Sequence, residues 1–242
     1  MLATAGDGAV RLWDIRDPSR PTPAGPSLGE NLVPTVVFTS DGTRLLTGAP
    51  DNALQLWDVP DRSARPLGPP LTGSDRDLQA ADLSPSGALV AAADAATHIH
   101  LWDLADPANP THHTIDTGDV IVRTLRFTPD GRRLVTGDND GTVRLWDVTD
   151  PTHPTQLATT RAHVGAVRTL TFDHDGRRLA SGGDDRTARL WTLTDATLTP
   201  TGAPSPPPSA GPGSSPSSPE TNPASSPWAT ASPSSGTPTP PP

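Results

Sequence analysis

Leu134-Val135-Thr136-Gly137-Asp138-Asn139-Asp140-Gly141-Thr142-Val143-Arg144-Leu145-Trp146-Asp147-Val148 is the stretch that decides the fold. Two apolar runs flank an Asp-Gly pair, the strongest short signal for a β-hairpin, because a type I′ turn needs positive φ at its central residues. Upstream, Val120 to Phe127 is a further run closed by Thr128-Pro129-Asp130-Gly131, and a weaker one lies near Gln156 to Thr160. The segment therefore predicts four short antiparallel strands. Leu134, Val135, Val143, Leu145, Trp146 and Val148 make the middle strands apolar enough to require cover on both faces.

The stretch recurs along the chain. Trp13, Trp57, Trp102, Trp146 and Trp191 are separated by 44, 45, 44 and 45 residues. Gly42, Gly87, Gly131 and Gly176 keep the same step, and Phe38, Leu83, Phe127 and Phe172 each precede them by four residues. Three markers in one register imply an all-β array of four-stranded sheets stacked face to face around an axis.

Composition agrees and closes several chemistries. All eighteen basic residues are arginine, and Cys, Lys and Tyr are absent, which excludes disulfides, thiolate nucleophiles, Schiff-base lysines and Cys-ligated zinc. Twenty-five of the 27 acids are Asp, a turn residue, while helix-favouring Glu is nearly missing. A formal charge of -9 argues against a nucleic-acid partner. No apolar run approaches the roughly 20 residues of a membrane span, and no basic and apolar leader follows Met1, so cytoplasm is the expected compartment. The bias towards Ala, Arg, Gly and Pro suggests a high-GC genome and a bacterial source. Fifteen of the 31 prolines fall within residues 200–242, beside Ser, Thr, Ala and Gly and a single charge at Glu220. Residues 1–199 are therefore expected to fold, and 200–242 to form a disordered tail and passive spacer in which Trp228 is the one large apolar residue.

With these residues in view, the sequence resembles the tryptophan-aspartate (WD) repeat β-propeller family. The resemblance rests on Val10-Arg11-Leu12-Trp13-Asp14, Leu54-Gln55-Leu56-Trp57-Asp58, Ile99-His100-Leu101-Trp102-Asp103, Val143-Arg144-Leu145-Trp146-Asp147 and Ala188-Arg189-Leu190-Trp191-Thr192. Repeats are expected at about 1–28, 29–72, 73–117, 118–161 and 162–199. The first begins inside its second strand, and family propellers usually have more blades, so the expectation is an open arc of a larger propeller, completed upstream or by self-association through its open ends.

The resemblance also implies a buried polar chain in each blade: Trp, a Ser or Thr ten residues before it, an Asp six before it, and a His in the preceding loop. The fifth repeat has the full set, His163, Ser181, Asp185 and Trp191. The fourth keeps Thr136, Asp140 and Trp146, with Gly118 at the His position. The second keeps Thr47, Asp51 and Trp57, with Gly29-Glu30 there. The first has Asp7 and Trp13, with Thr4 one residue out of step. The third has Ser74, Ala92 and Ala96 and is expected to be the least firmly specified.

Three constellations invite chemical readings. His163, Ser181 and Asp185 match a hydrolase triad by residue type, but the structural chain accounts for them without a strained elbow or oxyanion donor. His98 and His100, with His112-His113 on the next strand, could hold zinc, whereas packing at the site of Arg11, Arg144 and Arg189 in sister repeats explains His100. Asp138-Asn139-Asp140-Gly141 opens like a calcium loop but has Thr149 at the twelfth position. No metal or other cofactor is expected.

One end of the propeller collects acidic loops, and Asp75, Asp77, Asp119, Asp138 and Asp184 form a candidate surface for a basic peptide or protein. The expected function is a non-catalytic scaffold for protein interaction. The alternatives are the sensor or regulatory C-terminal part of a longer bacterial signalling ATPase or kinase, and a metal-dependent propeller hydrolase.

Overall fold

Turn chemistry sets the strand boundaries. Asp51 and Asn52 both adopt the left-handed conformation, with φ of 58° and 57°, as a type I′ hairpin demands. Gly141 has φ of 88°, and a Cβ there would stand 2.1 Å from the His163 carbonyl oxygen, so only glycine fits. Between such turns the computed structural model, which describes residues 1–6, 8–30, 35–60 and 63–205, contains strands and, among those residues, no α-helix.

The strands form five antiparallel sheets, or blades. The first comprises β1 (Leu2–Gly6), β2 (Ala9–Asp14), β3 (Thr22–Pro23) and β4 (Leu28–Glu30). The second comprises β5 (Val36–Phe38), β6 (Arg44–Gly48), β7 (Leu54–Asp58) and β8 (Arg65–Pro66). The third runs β9 (Leu78–Leu83), β10 (Leu89–Asp94), β11 (His98–Asp103), β12 (Thr111–Asp116). The fourth is β13 (Val122–Phe127), β14 (Arg133–Asp138), β15 (Thr142–Asp147), β16 (Thr155–Arg161). The fifth is β17 (Val167–Phe172), β18 (Arg178–Gly183), β19 (Ala188–Leu193), β20 (Leu198–Pro200). In the last four blades strand order follows chain order. In the first, β3 and β4 both pair with β2, so they are two pieces of one outer strand, and no inner strand precedes β1 among the described residues.

Period-two alternation gives each blade two distinct faces. One carries the Trp of the third strand and the residue paired with it, such as Leu134 opposite Trp146; the other carries the neighbouring Leu, such as Leu145 opposite Val135. The Leu side of each blade buries against the Trp side of the next. Val10 and Leu12 meet Leu45 and Trp57, and Leu54 and Leu56 meet Val90 and Trp102. Ile99 and Leu101 meet Leu134 and Trp146, and Val143 and Leu145 meet Leu179 and Trp191. The core is thus four slabs, one per junction.

Three details differ from the expected boundaries. The first blade extends to Glu30 through β4. Its hairpin is one residue shorter than its sisters', which pairs Thr4 with Arg11 as Thr136 pairs with Arg144 and brings Thr4 into step. The compact unit runs to Pro207 rather than 199, because beyond β20 the Thr201 amide donates to Leu190 O at 2.7 Å and the Ser205 amide to Ala188 O at 2.9 Å. The unit 208–242, with Trp228, lies outside the described residues.

Proline lies in or immediately before the outer strands. β3, β8 and β20 end in Pro23, Pro66 and Pro200 respectively, and Pro110 and Pro154 immediately precede β12 and β16.

Candidate functional site

The fifth blade holds the most complete polar chain. β18 presents Ser181, β19 presents Trp191, and the loop before β17 folds His163 over both. Trp191 Nε1 donates to Ser181 Oγ at 3.0 Å, and His163 Nε2 lies 2.8 Å from the same oxygen. His163 Nδ1 lies 3.0 Å from Asp185 Oδ1. In the neutral ring Nδ1 donates to the carboxylate, leaving Nε2 to accept the Ser181 hydroxyl proton. Asp185 also accepts the amides of Val164 and Thr187, both at 3.0 Å. Partial burial works to raise its pKa, but these donors outweigh it and hold the carboxyl well below the usual range. His163, Ser181 and Trp191 are each only 1% exposed, so the serine is closed to substrate and its oxygen is already engaged. Gly183 makes room for the imidazole: a Cβ there would fall 2.5 Å from His163 Cγ.

The other blades keep parts of this arrangement. Trp57 Nε1 donates to Thr47 Oγ1 at 3.0 Å, Trp146 to Thr136 at 3.3 Å, and Trp13 to Thr4 at 2.9 Å. Asp140 accepts the Thr142 amide at 3.0 Å and Asp51 sits in its exposed turn, neither with a histidine above it. Asp7 and the side chain of Glu30 lie outside what the structure describes.

The third blade is not loosely built. Every residue of β10 is buried, and Trp102 Nε1, lacking a hydroxyl partner at Ala92, donates to Thr72 O at 3.0 Å. Its rings form a stack in which His100 lies 5.7 Å from Trp102 and 5.2 Å from His112. His100 Nδ1 is 3.0 Å from His112 Nε2, and its Nε2 is 3.4 Å from Asp94 Oδ2. Burial pushes the His100 pKa down, against the pull of Asp94. Asp94 Oδ1 accepts the amides of Ala96 and His98, so it replaces the turn carboxylate that Ala96 cannot supply. Among the described residues no group of three or more His, Asp or Glu side chains is disposed to hold a metal ion.

Asp94 has a counterpart in Asp138, each lying eight residues before its blade's Trp, where the fifth blade has Gly183. Arg144 Nε stands 3.1 Å from Asp138 Oδ2, as His100 stands beside Asp94. In the third and fourth blades, which lack the loop histidine, an aspartate thus occupies the space that Gly183 leaves open for it, whereas the second blade has Ala49 at that position. In the fifth blade, which has no aspartate there, Arg189 Nε is buried without a hydrogen-bond partner.

This corrects the expected acidic surface. Asp138 is fully buried, and burial, only partly offset by Arg144, pushes its pKa up to about 7. It ends β14, paired with Val122 and facing inward, and cannot meet a partner. Asp184 is exposed, but Arg168 clamps it at 2.7 and 2.8 Å. Asp75, Asp77 and Asp119 are exposed, with no ion pair among the described residues. They lie in successive loops ahead of β9 and β13, inner strands that pack together.

At the opposite end the inner strands line an open pocket of about 440 Å³ whose walls include Phe38, Leu83, Phe127 and Phe172 beside Asp82, Arg126 and His174. All three phenylalanines of the chain line it. Asp82 enters its wall, accepting the Phe127 amide at 2.8 Å; burial, opposed by Arg126, raises its pKa to about 6. The sequence offered a signal for this site in the Phe/Leu register, which reads only as a repeat marker until the strands are placed around an axis.

Comparison with known proteins accords with this geometry. The model of the WD domain, G-beta repeat, matches residues 28–58, 109–147 and 154–192, spanning the Trp strands of the second, fourth and fifth blades. It passes over the third, where Ala92, Ala96 and His100 replace the usual polar residues. No curated protein matches the chain. Among solved structures, the Myceliophteria thermophila Cps50 (Swd1) β-propeller domain superimposes with a TM-score of 0.65 at 17% identity, over 80% of this chain. The chain spans 65% of the length of that structure. Spacing, sheet order and these matches agree that the chain carries WD40 repeats on a β-propeller fold.

Proposed function

We propose that the protein is a non-catalytic scaffold that binds a basic segment of a partner protein on its acidic end. The observation that carries this reading is the exposure of Asp75, Asp77 and Asp119 on adjacent loops without ion pairs among the described residues. Three carboxylates on neighbouring loops attract a cationic peptide and gain by pairing with it, whereas Asp184 is already neutralised by Arg168. The closure of Ser181 beneath His163 argues against that serine as a nucleophile. Fluorescence anisotropy with a labelled oligo-arginine peptide tests it. Binding should weaken with added salt and fall at least about tenfold in the triple variant Asp75→Asn, Asp77→Asn, Asp119→Asn. Equal binding by wild type and variant would refute the acidic site.

A second reading is favoured by the Phe-lined pocket, which suits one apolar anchor side chain of a partner. Phe172→Ala, at a partly buried position of the same wall, would weaken capture of such a partner and leave oligo-arginine binding intact.

A further inference from the structure

The ring stack of the third blade carries a loop as well as its own strands. The His112 ring lies 5.2 Å from that of His100 and 5.1 Å from that of Trp102, at interplanar angles of 11° and 22°. Its edge meets the loop ahead of β9: a Cβ at Gly73 would stand 2.6 Å from His112 Cε1, so the backbone there rests directly on the imidazole. The loop is tied at both ends. Trp102 Nε1 donates to Thr72 O at 3.0 Å, and the Ala95 amide donates to Asp77 O at 2.7 Å. This is the loop that presents Asp75 and Asp77.

Two imidazole nitrogens share a hydrogen bond only while one of them is bare. His100 Nε2, 3.4 Å from Asp94 Oδ2, keeps its proton towards that carboxylate, so His100 Nδ1 accepts from His112 Nε2 at 3.0 Å. A first added proton sits on His112 Nδ1 and leaves this bond whole. A second, on His100 Nδ1, sets one N–H against another and stacks two cations, so the rings must part. His100 is buried and His112 is exposed, which makes His112 the ring that leaves. We propose that the His100 and His112 pair is an acid-opened latch on the loop of residues 72–77, and that its opening regulates the acidic end by displacing Asp75 and Asp77. The second half of this proposal rests on the reading of that end given above.

The charged groups around the pair come from four elements. Asp94 on β10 faces His100, and His98 on β11 shares that carboxylate, its Nδ1 3.3 Å from Oδ2. His113 neighbours His112 on β12, and Asp75 acts on His100 from the loop itself. Burial pushes the His100 pKa down, against the pull of Asp94 and Asp75. Burial, joined by the charges of His100 and His113, pushes His112 down as well. The closed pair thus resists protons that freed rings would accept at the ordinary histidine pKa. The closed loop is fully favoured above about pH 6.5 and loses ground as pH falls below it.

The fold already accepts an uncharged substitute for each ring. Gln55 holds the position of His100 in the second blade, and Gln156 that of His112 in the fourth. Hydrogen exchange of the Trp102 indole and the Ala95 amide, read by NMR from about pH 7.5 to about pH 5 and corrected for the intrinsic rate, reports the two ties. In the wild-type chain protection of the indole should fall at least about fivefold over this interval. In the double variant His100→Gln, His112→Gln it should stay level. Asp138 and Asp82 take up protons in the same interval, but both remain in the variant and cannot account for a difference between the chains. His112→Gln alone, at an exposed position, gives the same comparison if circular dichroism shows the double variant unfolded. Oligo-arginine binding should weaken on acidification in the wild type by more than in the variant. Protection that stays level in the wild type, or falls equally in the variant, would overturn the latch. An indole that loses protection only in the wild type, with oligo-arginine bound at no pH, would uphold the latch and refute the acidic site alone.

Discussion

The third and fifth blades have the same backbone and solve the same problem with different atoms. In the fifth, a loop histidine bridges Ser181 and Asp185 above Gly183; in the third, Asp94 and His100 fill that space from within the sheet, and Trp102 turns to the Thr72 carbonyl. Apolar register and hairpin turns position the strands. Most of the polar groups that become buried are then hydrogen-bonded, the Asp138 carboxyl oxygens and Arg189 Nε excepted, and nothing requires the same residues to do it. The fourth blade stands between them, with the Trp146 to Thr136 bond of one scheme and the Asp138 to Arg144 pair of the other.

The strongest test transplants one solution onto the other. Gly183→Asp alone should cost about 3 kcal/mol or more, because the new side chain meets the His163 ring and buries a charge. His163→Ala alone should cost about 1 to 3 kcal/mol, through buried groups left without partners. The double variant His163→Ala, Gly183→Asp should lose less than the two single losses together, because the introduced carboxylate would meet the unpartnered Arg189 Nε as Asp138 meets Arg144. Strict additivity in denaturant unfolding would break the equivalence of the two schemes.

The two carboxylates should titrate in opposite senses. Asp138 keeps its proton in the folded chain to about pH 7, while the unfolded chain loses it near pH 4. Its contribution is therefore present below pH 4 and lost as pH rises from about 4 to about 7. Asp185 is held low, so its contribution is present above pH 4 and lost on acidification below that. Asp138→Asn should flatten the decline towards neutrality by on the order of 1 kcal/mol or more, leaving a residual slope to about pH 6 from Asp82. An unchanged pH profile would show that Asp138 does not hold its proton.

Smaller effects bound the comparison. Ser74→Ala should change stability by less than about 0.5 kcal/mol, since Ser74 bonds only its own loop, donating to Arg76 O at 2.7 Å. A loss as large as that of His163→Ala would mean that the third blade depends on its loop after all. Removing residues 208–242 should shift the melting temperature by no more than about a degree, whereas cutting after Thr199 should cost more, because it removes the Thr201 and Ser205 bonds to β19.

The fold was legible because Trp, Gly and Phe/Leu repeat in one register, and the four residues of the fifth-blade chain stand at fixed distances from Trp191. The third blade was not, because Ala92 and Ala96 read as gaps while the compensating Asp94 lies two residues from the position inspected. Asp138 was misplaced for a related reason. An aspartate in Asp-Asn-Asp-Gly reads as exposed turn, yet β14 runs through it and turns its side chain inward. The pocket required knowing which strand is innermost, which spacing alone does not reveal.

The proline-bearing outer strands bear on how the molecule stays in solution. A strand edge invites another strand to zip onto it through free amides, the route to fibrous aggregation. Proline has no amide hydrogen to offer, and Pro23, Pro66 and Pro200 lie within the outermost strands of the first, second and fifth blades. At these three blades the rim is thereby made a poor template for cross-β growth. Contacts with other molecules are directed instead to side-chain surfaces, where shape and charge select the partner.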